Sequence, residues 1–250
     1  MIRYCIVVCW VLMMPLSALA DPTCGSRTST SGAGSSPSNP MTLTFTPSAG
    51  TNRVQILVVH GRDSPGDNVT IDSVSSDAGG TWNTYSSVRV DSGSVDFIIG
   101  VYWSTNFADG SQSFSVTTSS ALLTGSLETF TCFDVDTATV WRAAAATATG
   151  TATTATVDTT GVATGDLPMD FLTAGSLDAG VAPTADGSQS VVYNTARGTD
   201  NMDTASSTKA GSTGTVTFTW TTMTGVDAWA QVAGALMSPN SFGVLRRRTP

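Results

Sequence analysis

Histidine and glutamate are well suited to acid–base chemistry, and this chain of 250 residues has one of each, His60 and Glu128. His60 ends an apolar run and is followed by the sequence GRDS. A serine hydrolase uses a histidine as general base and a carboxylate, here Asp63 or a distant aspartate, to orient it. The chain has no G-x-S-x-G motif, and a histidine beside a strand-ending turn usually satisfies local hydrogen bonds. We therefore predict no catalytic residue and keep an extracellular hydrolase as the least favoured function.

A pair of carboxylates could support glycoside hydrolysis, one as acid and the other as nucleophile or base. Glu128 and Asp134 lie six residues apart along one predicted strand, which separates them by about 20 Å. That distance is too great for either hydrolytic mechanism. The sequence therefore offers no glycosidase pair here.

Calcium binds oxygen ligands from loops, and the best local cluster is Asp63, Asp67 and Asn68 in one turn. It does not match the D-x-D-x-D-G calcium loop, and solvated turn aspartates are the ordinary alternative. Zinc and transition metals are disfavoured, because one histidine and two cysteines that are expected to form a disulfide cannot supply their ligands. Calcium is the single cofactor that the sequence leaves open.

Aromatic side chains on a surface can stack on sugar rings. Trp220 alternates with Val216 and Phe218 and is predicted to lie in the core, whereas Trp141 falls outside any clean alternation. We predict Trp141 as an exposed ligand contact, with Tyr193 as a second. The alternative is that Trp141 is a loop tryptophan capping the edge of the fold.

The N-terminus has the pattern of a cleavable secretory signal over residues 1–20: Arg3, an apolar run over residues 5–14, and small residues ending at Ala20. An uncleaved membrane anchor is the alternative, but the run is shorter than the roughly 20 residues of a spanning helix. No later segment is apolar enough to cross a membrane. We expect a secreted, extracellular or cell-surface protein.

Cleavage would remove Cys5 and Cys9 and leave Cys24 and Cys132. In an oxidising compartment a lone pair of cysteines is most simply a disulfide, with two free thiols as the alternative. The formal net charge of −8 argues against a nucleic-acid partner, because phosphate binding needs a basic surface.

The composition favours an all-β fold. Serine, threonine, glycine and valine are abundant, and Glu128 and Lys209 are the sole representatives of two helix-favouring residue types. Apolar residues alternate with threonine over residues 41–46 and 215–220, and the run over 54–59 suits a central strand buried on both faces. We interpret the Ala/Thr stretch over 143–160 as strand, turn and strand.

The predicted organisation is a flexible Ser/Gly/Pro leader over 21–40, one antiparallel β-sandwich over 41–238 and a basic C-terminal tail over 239–250. The string ADGSQS occurs at 108–113 and again at 185–190. Two copies of a domain would share more than six residues, so we interpret the strings as two hairpin entries with the same turn chemistry.

Five segments together resemble a widespread bacterial secreted or surface β-sandwich domain: MTLTFTPSAGTNRVQILVVHGRDS, IDSVSSDAGGTWNTYSSV, IIGVYWSTNFADGSQSFSVTTSS, TATTATVDTTGVATGDL and TVTFTWTTMTGVDAWAQVAGAL. The resemblance covers roughly residues 41–236 and implies a jelly-roll-like module without defined catalytic residues. Pro168 and Met169 depart from the aliphatic run that normally follows GDL, which predicts that this strand is not central.

The function expected from these observations is a non-catalytic secreted or cell-surface module. It would act by binding a glycan or surface polymer, or by assembling with copies of itself. A carbohydrate-binding module is the first alternative and an extracellular hydrolase the second.

Overall fold

The computed structural model describes residues 20–30, 36–93, 95–175, 182–197, 201–221 and 228–239. Regular secondary structure over these residues is entirely strand, which confirms the all-β prediction. No helix in this part of the chain is long and apolar enough to cross a membrane. The predicted signal peptide, up to residue 19, and the basic tail from residue 240 lie outside the described residues.

The described strands, in chain order, are β1 (Thr23–Cys24), β2 (Thr28–Ser29), β3 (Met41–Phe45), β4 (Val54–Asp63), β5 (Ile71–Ser76), β6 (Asn83–Asp91), β7 (Asp96–Ser104), β8 (Gln112–Thr118), β9 (Thr124–Phe133), β10 (Ala146–Gly150), β11 (Ala155–Val162), β12 (Leu167–Ala174), β13 (Thr184–Ala185), β14 (Ser190–Arg197), β15 (Met202–Thr208), β16 (Gly214–Thr221) and β17 (Trp229–Leu236). The predicted strand, turn and strand over 143–160 correspond to β10 and β11.

The strands form four antiparallel sheets. The first large sheet has the order β1-β9-β4-β7-β6, with β2 also on β9, and the second has the order β10-β17-β12-β15-β14. The two small sheets are β3-β8-β5 and β11-β16-β13. Shared apolar clusters pack each small sheet on one large sheet, and a further cluster joins the two large sheets. The layers therefore run small, large, large, small.

The two halves of the chain have the same topology. Replacing β1, β3, β4, β5, β6, β7, β8 and β9 by β10 through β17 in order converts both sheets of the first half into those of the second. An eight-stranded jelly roll pairs strands 1-8-3-6 in one sheet and 2-7-4-5 in the other. Each half follows this order with one exception. The fifth strand of the half, β6 or β14, pairs with the sixth, β7 or β15, in the large sheet. The antiparallel jelly-roll-like sandwich thus occurs twice.

The burial pattern explains why the two kinds of strand differ in sequence. The small-sheet strand β3 alternates buried and exposed residues, because only one of its faces is covered. The large-sheet strand β4 is buried over nearly its whole length, because its sheet lies between two others. Even-numbered residues such as Val58 face the second large sheet, whereas Leu57 and Val59 face the small sheet.

The predicted flexible leader requires correction. Thr23–Cys24 and Thr28–Ser29 pair with β9, and Cys24 forms the predicted disulfide with Cys132. Polar side chains do not prevent these residues from forming strands, because β9 supplies backbone partners and the disulfide holds them in place. Residues 31–35 of the leader lie outside the described chain.

The prediction that the strand containing Pro168 is not central is also wrong. β12 lies between β17 and β15 in the second large sheet. Pro168 is the second residue of the strand, and the ladder to β15 begins only at Met169. The missing N–H group therefore falls before the ladder to β15 starts.

Candidate functional site

The single histidine and the single glutamate lie in the same layer, between the two large sheets. His60 on β4 pairs with Ser126 on β9, and Glu128 follows two residues later on the same face of β9. Both His60 and Glu128 are completely buried. This position results from strand parity, because His60 shares its face with Val58 and Ile56 of the interlayer core.

Both ring nitrogens of His60 contact hydroxyl groups of the second half. Nδ1 lies 2.6 Å from Thr173 Oγ1 on β12, and Nε2 lies 3.0 Å from Tyr193 Oη on β14. A neutral imidazole has one N–H group, so one hydroxyl accepts a hydrogen bond from it and the other donates to it. These two hydrogen bonds fix the ring orientation.

Glu128 is held by a residue of the N-terminal segment. Arg27 Nη1 donates to Glu128 Oε2 at 3.0 Å and to Thr195 Oγ1 at 3.3 Å. The guanidinium also lies 4.9 Å from the ring centre of Tyr193, within range of a cation–π interaction. Ser126 donates to the other carboxylate oxygen of Glu128 at 3.0 Å. Arg27 therefore closes one side of a buried polar cluster, which we call the interlayer cluster (Arg27, His60, Ser126, Glu128, Thr173, Tyr193 and Thr195).

The predicted orienting residue of His60 is not part of this cluster. The ring contacts described above come from Thr173 and Tyr193 rather than from Asp63. A hydrolytic base must reach the proton of a nucleophile or water that is open to a substrate. The geometry around His60 is that of an internal hydrogen-bonded network joining the two halves.

Asp170 forms a second buried polar site, in the centre of the second large sheet. Oδ1 accepts from the Ser207 backbone and hydroxyl, and Oδ2 accepts from Trp220 Nε1 and Gln231 Nε2. Burial raises the pKa of Asp170 to about 6, and the hydrogen bonds from Ser207, Trp220 and Gln231 oppose that rise. The network ties β12 to β15, β16 and β17.

Of the residues predicted to bind calcium, Asn68 lies beside an arginine side chain and Asp63 is buried. Arg89 donates to the Asn68 side-chain oxygen and to Asp96, which places a cation beside the turn. Burial raises the pKa of Asp63, with further increases from Asp67 and Asp96. The described residues contain no group of three or more histidine, cysteine, aspartate or glutamate side chains arranged to hold a metal. The geometry lends the calcium prediction no support.

The predicted exposure of Trp141 and Tyr193 is wrong. Trp141 is only 8% exposed, because its ring stacks on Tyr85 with centroids 3.9 Å apart and planes 11° from parallel. Its backbone forms an isolated bridge with Leu236, so it caps the interlayer core, as the alternative interpretation had it. Tyr193 is 4% exposed and belongs to the interlayer cluster. Neither ring offers a free face to a sugar.

A surface cleft of about 240 Å³ opens between the free edges of β5 and β6. Its lining combines aromatic, hydroxyl and carboxylate groups: Ile71, Asp72, Ser73, Val74, Trp82, Thr84 and Tyr102. Trp82 stands edge-on to Phe114, with ring centres 5.2 Å apart. We call this site the β5–β6 cleft.

Sequence reasoning did not single out Arg27, Thr173, Asp72 or Trp82 as site residues. Arg27 lies in a stretch without apolar residues, and Thr173 and Asp72 are ordinary strand residues. One sequence feature points to Trp82: it follows the turn-forming pair Gly79 and Gly80. Both glycines have positive φ in the structure. Arg27 and Thr173 join the interlayer cluster through contacts between segments far apart in the chain, whereas Asp72 lies on β5 and Trp82 just before β6, consecutive strands that belong to different sheets.

No family model, curated protein or solved structure matches this chain.

Proposed function

We propose that this chain is a non-catalytic module that acts outside the cytoplasm by binding, either to a polymer or glycan or to copies of itself. The observation that carries the proposal is the placement of the reactive side chains. His60 and Glu128 are fully buried and bonded within the interlayer cluster. The open cleft, in contrast, has side chains suited to stacking and hydrogen bonding.

The disulfide supports a location outside the cytoplasm. Disulfides form and persist in secreted and extracellular proteins and are rare in the reducing cytosol. The bond between Cys24 and Cys132 joins β1 to the first large sheet. It is compatible with the secretory signal predicted from the first 20 residues.

Self-association has two structural supports. The strands β6 and β14 lie at the free edges of the large sheets, and free edges carry backbone groups that can pair with another chain. Val191 on β14 is 51% exposed. Light scattering after size-exclusion chromatography over a range of protein concentrations would show whether copies associate.

A turnover screen tests the non-catalytic part of the proposal. The disulfide-bonded protein would be incubated with polysaccharides and ester substrates, with His60→Gln as the matched variant. We expect no turnover by either protein. Turnover by the parent that is lost in His60→Gln would show that the chain is an enzyme and would overturn the proposal.

A further inference from the structure

We propose that the β5–β6 cleft binds one neutral sugar ring, stacked on Trp82 and hydrogen-bonded by Asp72. This inference depends on the proposed binding function and adds a site and a ligand class to it. The cleft lies in the first half, and neither Trp141 nor Tyr85 lines it.

Two irregular edge strands shape the cleft. The pairing of β5 with β8 shifts register between Ile71 and Ser73, which leaves Asp72 as the extra residue of a bulge. The pairing of β6 with β7 shifts between Thr84 and Ser86. Bulges at sheet edges re-aim side chains and interrupt pairing. The two bulges thus border the cleft from opposite sheets.

The aromatic walls suit the apolar face of a sugar. Trp82 is half-buried against the small-sheet core and edge-on to Phe114, so its indole is held in place. Tyr102 lies deeper, and its ring occupies the space over Gly100, where any side chain would collide with Tyr102 and Ile71. A rigid, partly exposed ring pays little conformational entropy when a ligand stacks on it.

The polar groups suit hydroxyl ligands. Asp72 accepts one hydrogen bond from Thr70 at 2.7 Å, and a carboxylate has about four acceptor positions. Ser73 and Thr84 add exposed hydroxyls that both donate and accept. Burial raises the pKa of Tyr102 to about 12, so its phenol remains neutral at physiological pH.

The charge of the lining selects against anions. Asp72 is the one charged residue among the seven that line the cleft, so a phosphate or uronic acid would meet a negative group without a cation. A lone carboxylate is also too few ligands for a calcium ion. The volume of about 240 Å³ lies below the 300 to 1,000 Å³ of typical drug-sized sites, which suits a single ring.

The second half has a different residue at the position equivalent to Trp82. The residue immediately before the edge strand is Trp82 in the first half and Gln189 in the second. Gln189 donates to Ser207 at 2.9 Å and accepts from the Thr219 backbone at 2.7 Å. Its side chain thus joins the two sheets of its half, whereas Trp82 leaves an open cleft.

An NMR titration of the disulfide-bonded protein tests the site. Neutral monosaccharides (glucose, galactose, mannose, xylose and N-acetylglucosamine) would be added separately up to tens of millimolar, with glucuronate as the anionic comparison. We expect at least one neutral sugar to shift the Trp82 indole N–H signal and the Thr84 amide. Glucuronate should bind at least several-fold more weakly.

Variants assign the shifts to the cleft. Asp72→Asn should weaken binding by about tenfold, since hydrogen bonds to a charged group are the stronger kind. Asp158→Asn is the matched control: Asp158 is also an exposed strand aspartate that accepts from a threonine hydroxyl, at 2.5 Å from Thr217. It should bind as the parent does. Trp82→Ala should abolish binding, and Trp82→Phe should retain part of it if the fold is intact.

The outcomes separate this inference from the proposed function. No shift with any neutral sugar, equal binding of glucuronate, or unchanged affinity in Asp72→Asn would overturn the site. Those results would not affect the proposal that the chain is a non-catalytic module. Cleavage of a polysaccharide in the separate turnover screen would instead overturn the proposed function.

Discussion

The layer in which a polar side chain is buried decides which hydrogen-bond partners it meets in this protein. Asp170, His60 and Glu128 are polar groups placed where most proteins have apolar ones, and each has hydrogen-bond partners within the buried layers. Unpaired polar groups in such positions would cost several kcal/mol.

Asp170 should make stability depend on pH. Its pKa is higher in the folded chain, about 6, than the ordinary value of 3.8. The folded state therefore holds an extra proton between these values, and stability should fall as the pH rises from about 4 to about 6. The shift corresponds to roughly 3 kcal/mol.

Urea unfolding of the parent and Asp170→Asn at several pH values measures this contribution. The difference in free energy of unfolding, parent minus variant, should decrease by up to about 3 kcal/mol between pH 4 and pH 6. Asp158→Asn, which removes an exposed strand aspartate, is the control for loss of an aspartate outside the buried layers. A difference that is constant or grows with pH would contradict the assignment.

The ion pair of the interlayer cluster should respond asymmetrically to substitution. Glu128 is fully buried, whereas the Arg27 side chain is 26% exposed. Arg27→Met removes a cation from a buried carboxylate and should cost about 3 to 5 kcal/mol. Glu128→Gln keeps hydrogen-bonding capacity and leaves Arg27 able to reach solvent, so it should cost less, about 1 to 2 kcal/mol.

The control for this comparison is Arg53→Met. Arg53 pairs with Asp109, whose side chain is 82% exposed, and a surface pair contributes about 1 kcal/mol or less. Chemical unfolding at pH 7 would rank the three variants. Equal costs for Arg27→Met and Arg53→Met would show that the buried pair has no special role.

Among the strands, β1 and β2 are the least extensive members of a large sheet, with two residues each. β1 carries Cys24, and Arg27 lies between β1 and β2, so the disulfide and the ion pair hold the same segment. Strands this short are not stable by themselves. Their order depends on β9 and on the covalent link.

Removal of the disulfide should therefore lower global stability and release this segment. The bond closes a loop with a sequence separation of 108 residues, for which the chain-entropy model gives about 4 to 5 kcal/mol. We expect Cys24→Ser/Cys132→Ser to unfold at lower urea concentration. Hydrogen exchange at Thr28 and Ser29 should accelerate more than exchange in β4. Equal acceleration in both strands would argue against local release.

At the scale of the whole molecule, two jelly rolls share one interface between their large sheets. Tyr85 of the first half crosses this interface and stacks on Trp141, and its hydroxyl donates to backbone oxygens of the second half at Ala143 and Ala233. Gly234 on β17 lies directly under the Tyr85 hydroxyl. The absence of a side chain there lets the sheets approach.

Gly234→Ala should loosen the contact between the halves. A Cβ atom at this position would overlap the Tyr85 ring and hydroxyl, and overpacking of this kind costs about 1 to 3 kcal/mol. Gly187→Ala is the control, because a Cβ there meets nothing within 4 Å. Thermal unfolding should show a lower midpoint for Gly234→Ala alone. Equal midpoints for the two variants would mean that Tyr85 does not hold the interface together.

The sequence by itself determined the features that depend on local pattern and simple counting. Alternation over residues 41–46 and 215–220 predicted one-sided strands, the apolar run over 54–59 predicted a strand buried on both faces, and the lone pair Cys24 and Cys132 predicted the disulfide. These predictions are confirmed because strand periodicity depends on residues close together in the chain, and the disulfide followed from counting the cysteines.

Only the tertiary structure decided which sites exist. The repeated ADGSQS strings precede β8 and β14, which are not equivalent strands, so the duplicated topology leaves no such trace in sequence. Arg27 and Glu128 lie 101 residues apart and His60 and Tyr193 lie 133 apart. Trp141 lacks alternation because it lies between β9 and β10, and it is buried by the interlayer core and by stacking on Tyr85. Contacts of this kind depend on how the four sheets pack on one another, and no local sequence pattern specifies that packing.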